Sequence, residues 1–304
     1  DRATRSPAGE AHKRRICVDI KDMRLFLAIA EEKNLTRAAR KNGYTQSAAS
    51  HILKNMETEL GFPLFSRSQK GLMLTKNGGM LLPHVRRILS AAESFSQEAF
   101  AIRGIQTGHI AIGTYLSASV QWLPAALEQF YQDYPQMTVE IREGNFQEIE
   151  NWLESGAIDF GICSSPDDER MDWIPLKKEF YMAVCAQDSP WARQKILNLA
   201  QLNEISYIEE KGDVDLNRQL RRLRITPPLP RYSSLNIYAM IAMARHNLGV
   251  CILPELITRD SCQNVTLLPL EPPIERTNGT RLLTLKKASP AAALLIEQIQ
   301  KAVC

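Results

Sequence analysis

Between residues 45 and 61 the apolar positions return every three to four residues. Wound as a helix, this stretch puts Ala49, Ile52, Leu53, Met56 and Leu60 on one side and Gln46, Ser47, Ser50, His51 and Lys54 on the other. Thr45 stands where a cap accepts from the first free amides, and Gly61 where the chain can turn left-handed without a Cβ penalty. A shorter helix precedes it, capped by Asn34 and stopped at Gly43, and the tight turn through Tyr44 makes the two an angled pair. A first helix over residues 22–33, with Asp22 as its cap, supplies Phe26, Leu27, Ile29 and Ala30 as the surface on which that pair packs.

Further along, FPLFSRSQKGLMLT reads as two short strands around a polar turn at Ser68 to Gly71, a hairpin carrying Arg67 and Lys70. From Thr75 to about Arg103 one long helix follows. Its apolar positions Leu81, Val85, Ile88, Ala92, Phe95, Ala99 and Ile102 step alternately by four and three, the seam of a coiled coil. Pairing with a second copy is one use of such a seam; packing onto the chain's own domain is the other. From Gly108 the pattern changes to strands alternating with helices: HIAIGTY, VQWLPAALEQFYQDYP, MTVEIRE, FQEIENWLESG, AIDFGIC, and after Pro175 FYMAVCA, ISYIEE, DLNRQLRRL, PRYSS, NIYAMIAMARHN and LGVCILP. A strand TRLLTLKK and a helix from Pro290 to Val303 close the chain. This predicts a parallel, doubly wound sheet in two α/β lobes with a cleft between them, lobe 1 about 107–165 and 266–304, lobe 2 about 166–265.

Charge sharpens the division. Residues 1–106 hold 18 Lys and Arg against 10 Asp and Glu, net +8, and residues 107–304 hold 19 against 24, net −5. Only the front half is built to meet a polyanion. The polar face of the 45–61 helix has short hydrogen-bonding groups and one cation but no acid, Glu57 and Glu59 coming only near its end, which suits base edges and phosphates. The preceding helix adds Thr36, Arg37, Arg40 and Lys41. Residues 1–20 form a basic arm without apolar periodicity, expected to be disordered, and the sequence does not decide between a natural DNA-touching tail and an added one. The arm lacks the apolar stretch of a signal peptide and no later run is long enough to span a membrane, so a cytoplasmic location is expected.

Catalytic chemistry finds little support. The six cysteines show no close-spaced pair, the five histidines no ligand spacing, and there is no phosphate-cradling glycine loop or nucleophile elbow. No cofactor or metal is expected. An enzyme or a pure solute-binding module would need a constellation in the cleft that the sequence does not display. A purely architectural DNA binder would leave the large acidic half without a use.

The segment from Met23 to Leu89 resembles the N-terminal region of LysR-type transcriptional regulators, in LTRAA, QSAAS, the LG-x-x-LF-x-R run and the LT-x-x-G that opens the long helix. The second half is similar in pattern: G-x-I-x-I-G at 108–113, G-x-IDFGI at 156–162 and LGVCILP at 248–254. The resemblance implies a winged helix-turn-helix over 21–77, a coiled-coil linker helix over 78–106 that dimerises, and a periplasmic-binding-protein-like domain over 107–304 that senses a small molecule. The partners it implies are double-stranded DNA carrying an interrupted palindrome, further copies in a homodimer or homotetramer, a small-molecule effector and, for an activator, RNA polymerase. It also maps DNA contacts onto Thr36, Arg37, Gln46, Ser47, Ser50, His51, Lys54, Arg67 and Lys70. Effector contacts map onto Thr114, Tyr115, Ser117, Asn145, Phe146, Ser164, Ser165, Ser233 and Ser234. Three positions depart from the family pattern. Ser47 stands where proline is usual, His51 where arginine is common, and Phe146 where a hydroxyl residue is frequent.

Overall fold

The computed structural model describes residues 18–68, 71–102, 107–165, 170–261, 263–285 and 288–303. The expected N-terminal arm lies almost wholly outside this range, and so does Lys70. The chain divides into two compact units between Ala91 and Ala92.

The first unit opens with α1 (Ile20–Glu32), α2 (Leu35–Lys41) and α3 (Gln46–Leu60). Helix α1 starts one turn earlier than its apolar pattern suggested. Asp19 rather than Asp22 holds the cap position, because its carbonyl already accepts from Met23, and Asp22 sits in the first turn. Asn34 does cap α2, accepting from the Arg37 amide at 3.0 Å, and Thr45 caps α3 through the Ala48 amide at 3.2 Å. Gly43 and Gly61 take the left-handed conformation, at φ 73° and 81°, that ends each helix. Leu25, Phe26 and Ile29 of α1, Ala38 and Ala39 of α2, and Ala49 and Met56 of α3 meet in one buried core.

The wing is the antiparallel pair β1 (Phe65–Ser68) and β2 (Gly71–Leu74). It is tied at both ends. The Glu57 carboxylate accepts from the Leu64 and Phe65 amides at 2.7 and 3.2 Å, and the Leu72 amide donates to Lys33 O at 2.9 Å. Thr75 then caps α4 (Lys76–Ile102): its hydroxyl donates to Pro63 O at 2.8 Å and accepts from the Gly78 amide at 3.0 Å.

The second unit carries β3 (Thr107–Thr114), α5 (Leu116–Gln121), α6 (Leu123–Asp133), β4 (Gln136–Glu143), α7 (Phe146–Glu154), β5 (Phe160–Ser164) and the 15-residue β6 (Asp172–Ala186). There follow β7 (Leu197–Asn198), β8 (Tyr207–Glu210), α8 (Val214–Arg222), β9 (Tyr232–Ser234), α9 (Ile237–Arg245), β10 (Val250–Pro254), α10 (Glu255–Ser261), β11 (Val265–Glu271), β12 (Glu275–Leu282) and α11 (Pro290–Val303). Strand order is β4-β3-β5-β12-β6-β10-β8-β9, with β11 beside β6 and β7.

The sheet is mixed rather than parallel throughout. Strands β3, β4 and β5 are parallel, as are β8, β9 and β10, but β12 runs antiparallel to β5 and β6, and β6 antiparallel to β10 and β11. The cause is β6, whose first part pairs with β12 in one lobe and whose second part pairs with β10 and β11 in the other. The lobe boundaries therefore move to about residues 180 and 274. Three segments correct the sequence pattern. The helix expected over VQWLPAALEQFYQDYP breaks at Trp122, because Pro124 lacks the N–H a continuous helix needs. The final strand spans Glu275–Leu282 rather than TRLLTLKK, and β11, which carries Pro269 inside it, went unread. Gly113 and Gly161 let α7 sit close to the sheet: a Cβ on either would come within 2.5 Å of Ile158 or Ile149.

Candidate functional sites

On the first unit, Gln46, Ser47, Ser50, His51 and Lys54 are all exposed along one face of α3, as their spacing requires. Thr36, Gln46, Ser50, Lys54 and Arg67 line a single groove between α2, α3 and the wing. Glu57 also borders it, but its carboxylate is turned to the Leu64 and Phe65 amides, so the acid is spent on holding the wing. Ser47 joins the helix cap through Thr45 Oγ1 at 3.1 Å, a use that proline could not supply. His51 is exposed, with its Nδ1 3.2 Å from the Asn55 side-chain amide nitrogen. Arg37 is exposed yet turned back to α1, donating to Glu32 O at 2.8 Å and pairing with the Glu32 carboxylate at 3.4 Å.

The apolar seam of α4 divides. Val85 is buried and Leu81 packs in the core of the first unit, so for these two the own-domain reading holds: α4 emerges directly from the wing and lies against α1 and α3. Ile88 and Phe95 are instead 42% and 75% exposed. Ala92 and Ala99 are half-buried, and the side chain of Ile102 lies outside the described residues.

In the second unit a cavity of about 210 Å³ opens between the lobes, at the carboxyl ends of β3, β4, β8, β9 and β10. Of the nine positions expected there, Tyr115, Ser117, Asn145 and Phe146 line it. Asn145 does so while forming a capping box with Glu148 at the start of α7. Thr114 is fully buried and donates to Tyr115 O. Ser164 lies behind the wall, and Ser165 bonds to Thr277 O through its amide. Ser233 and Ser234 correct the expectation. They pair along edge strand β9, Ser234 caps the turn into α9, and Leu235 and Ile237 reach the cavity instead.

Sequence reasoning missed the charged floor of this cavity. Asp215 accepts from Tyr115 Oη at 2.8 Å, Ser164 Oγ at 2.7 Å and Arg218 at 2.7 Å. Arg276, only 8% exposed, donates to Glu179 at 2.7 Å, Tyr181 Oη at 3.4 Å and Ser117 Oγ at 3.3 Å, stands 3.7 Å from Asp215, and stacks 4.7 Å from the Tyr115 ring centre. Burial, and then the Asp215 charge, push the Tyr115 hydroxyl well above its ordinary range, so it stays a neutral donor. Asp213 could have been read as the cap of α8; nothing local in the sequence marks Arg276, which reaches Ser117 across 159 residues.

Burial, and then the charge of Asp213, push Glu210 up to about 8. A carboxyl raised in the folded state adds stability below its unfolded value, near 4.5, and that stability is lost as pH rises through about 8. Glu210→Gln is therefore expected to flatten the pH dependence between 5 and 8.5, and to raise stability at pH 8.5 by about 1–3 kcal/mol, which is the typical cost of a buried polar group left unmatched. Urea unfolding at the two pH values would show it, and an unchanged pH slope would refute it.

The described cysteines, Cys163, Cys185 and Cys251, are buried and form no disulfide. Burial pushes the Cys185 thiol up to about 11, the opposite of a reactive thiolate. Among the described residues no group of His, Cys, Asp and Glu could hold a metal ion, and no helix is long and apolar enough to cross a membrane.

A winged helix-turn-helix with an exposed polar reading face, joined in one chain to a two-lobed domain with a small interlobe cavity, defines a DNA-binding regulator with an effector-binding domain. Residues 20–79 match the bacterial regulatory helix-turn-helix protein, lysR family, and residues 103–304 match the LysR substrate binding domain. The chain belongs to the LysR family of transcriptional regulators. It is 33% identical over 290 residues to the uncharacterized HTH-type transcriptional regulator YvbU of Bacillus subtilis, covering 93% of this chain and 98% of that one. It is 30% identical over 284 residues to the HTH-type transcriptional regulator DgdR of Burkholderia cepacia, covering 93% and 94%. The fold is that of a full-length OxyR variant from Pseudomonas aeruginosa (TM-score 0.73, 22% identity, 94% and 95% covered) and of CbnR complexed with its target DNA (TM-score 0.66, 19% identity, 94% and 100% covered).

Proposed function

We propose that this regulator acts in the cytoplasm as a homodimer or homotetramer on interrupted palindromes, and that a small molecule held between its two lobes sets its affinity for them. The observation that supports this best is the one groove shared by Thr36, Gln46, Ser50, Lys54 and Arg67, with its acid turned away. Lys54, Arg67 and Thr36 in it, together with Lys70, would serve phosphates, while Gln46 and Ser50 in it and Ser47 and His51 on the same exposed face of α3 would read base edges. Arg37 mainly fixes α2 on α1. Two copies joined through the exposed part of the seam at Ile88 and Phe95 would set two α3 helices about 34 Å apart, in successive major grooves. The structure of CbnR with its target DNA supports the same partner for this chain. An activator of this kind would also engage RNA polymerase. Effector binding works by population shift, a ligand stabilising whichever lobe arrangement it fits better.

Affinity selection of genomic fragments at physiological salt, followed by sequencing, is expected to return a few sites sharing an interrupted palindrome. A mixture that salt washes away would show phosphate binding only. On a panel of single-base variants of such a site, His51→Ala should relax discrimination at one base pair by about 1–3 kcal/mol. Arg67→Ala should weaken every sequence alike and lower the salt slope by about 1. Uniform loss for His51→Ala would remove it from base reading.

A further inference from the structure

The cavity's charges sort themselves. Five carboxylates and two cations border it, and most are already committed. Asp215 is filled by Tyr115, Ser164 and Arg218; Glu148 closes its own capping box; Glu143 accepts from Ser119; Arg276 is engaged by Glu179, Tyr181 and Ser117. Two groups remain. Asp213 uses Oδ1 for the Leu216 amide and Tyr181 Oη, while its Oδ2 is buried and accepts nothing among the described residues. The Glu210 carboxyl, at the end of β8, is held by burial and by charges alone, with no hydrogen bond to it among the described residues. Both stand on one lobe. Facing them from the other lobe are Phe146 and Leu116, with the apolar Leu235 and Ile237 beside them.

An anion entering here would meet two unmatched carboxyls, and Asp213 itself caps the first turn of α8 through the Leu216 amide. A buried acceptor without a donor is costly, and a charged donor is the partner that removes most of that cost. At about 210 Å³ the space is below the range of about 300–1,000 Å³ usual for drug-sized ligands.

We propose that the effector is a small organic cation, an ammonium or guanidinium group on a short apolar body, with Asp213 and Glu210 receiving the charge and Phe146 covering the body. This rests on the interlobe cavity being the effector site. Phe146 gives the cavity an aromatic wall, the surface a cation with an apolar body uses best, and already has the Arg218 guanidinium 5.9 Å from its ring centre. Glu210 faces Asp213 and Asp215 from the start of α8 and Arg276 from β12, with Lys211 exposed at the rim. Burial pushes Asp213 up to about 6 and Glu210 to about 8, so at pH 7 the pair still holds a proton that an arriving cation displaces.

The test uses the full-length protein with benzylamine and agmatine against benzyl alcohol and benzoate, by thermal shift and by calorimetry at pH 7 in two buffers of different ionisation enthalpy. The expected result is that an amine binds at least about tenfold more tightly than the alcohol and releases protons. Asp213→Asn should weaken it by roughly 10- to 100-fold, the usual weight of a charged hydrogen bond, while circular dichroism stays unchanged. Benzoate binding where the amines do not would overturn the cation and leave the cavity standing as the effector site. Amine binding untouched in an Asp213→Asn, Glu210→Gln double variant would place the ligand elsewhere and overturn both. No binding by either amine would also overturn the proposal.

Discussion

Arg276→Met is expected to destabilise the effector domain by about 3–5 kcal/mol, the usual consequence of removing one partner from a buried ion pair. The guanidinium is 8% exposed and bonds to groups from two elements, Glu179 and Tyr181 on β6 and Ser117 on α5, with Asp215 of α8 at 3.7 Å. Methionine fills much of the volume, so the loss would come from leaving the Glu179 and Asp215 carboxylates without the cation they share. Glu179 keeps Asn278 and the Leu256 amide, and Asp215 keeps Arg218, which moderates the effect without removing it. Adding Glu179→Gln to Arg276→Met should restore part of the stability, since it deletes one stranded charge. For a unit of this size each kcal/mol corresponds to about 2–4 °C in Tm, so calorimetric melting reads the series directly. A loss under about 1 kcal/mol for Arg276→Met would show that the floor of the cavity is held by packing instead.

The second large effect is expected from Gly78→Ala. An added Cβ would stand 2.2 Å from Leu64 O and 3.0 Å from Leu74 Cδ2, and the nearer atom is backbone already fixed by bonds from Thr75. No rotamer change relieves such a clash. Either α4 or the wing must shift, at a cost of about 1–3 kcal/mol or more. Because Leu64 is tied through Glu57 to α3, the displacement reaches the reading face, and DNA affinity should fall together with stability. Gly79→Ala, with nothing within 4 Å of the added carbon, is the control and should be nearly neutral in both measurements. Equal behaviour of the two variants would contradict the close packing of α4 on the wing.

The contrast between the two sites in how much the sequence revealed has a physical origin. The recognition helix is a local object: period, caps and the Gly43 turn all lie within 28 residues, and Asn34, Thr45, Gly43 and Gly61 do in the structure what their chemistry suggests. The cavity is a non-local object. Tyr115, Ser117, Asn145 and Phe146 line it at the starts of α5 and α7, positions that the family resemblance, and no periodicity, pointed to. Asp215 and Arg276 were not legible, since their roles come from partners 51 to 159 residues away, and no periodicity carries that. Ser233 and Ser234 lie along β9 outside the cavity lining, and Ser234 bonds the Asn236 amide ahead of α9. The seam of α4 shows a third case, in which one repeat serves two purposes, Leu81 and Val85 facing their own core and Ile88 and Phe95 facing outward.

Strand β6 has a final consequence. The chain enters the second lobe along one uninterrupted strand of 15 residues and returns through β11 and β12, which pair with that same strand. The two lobes thus share one continuous strand, so opening either of them strains the β6 backbone on which the other's ladder is built. Heating should then produce one cooperative melting transition for this domain rather than two. A bound effector would move that single transition as a whole, which makes thermal shift a direct readout of occupancy.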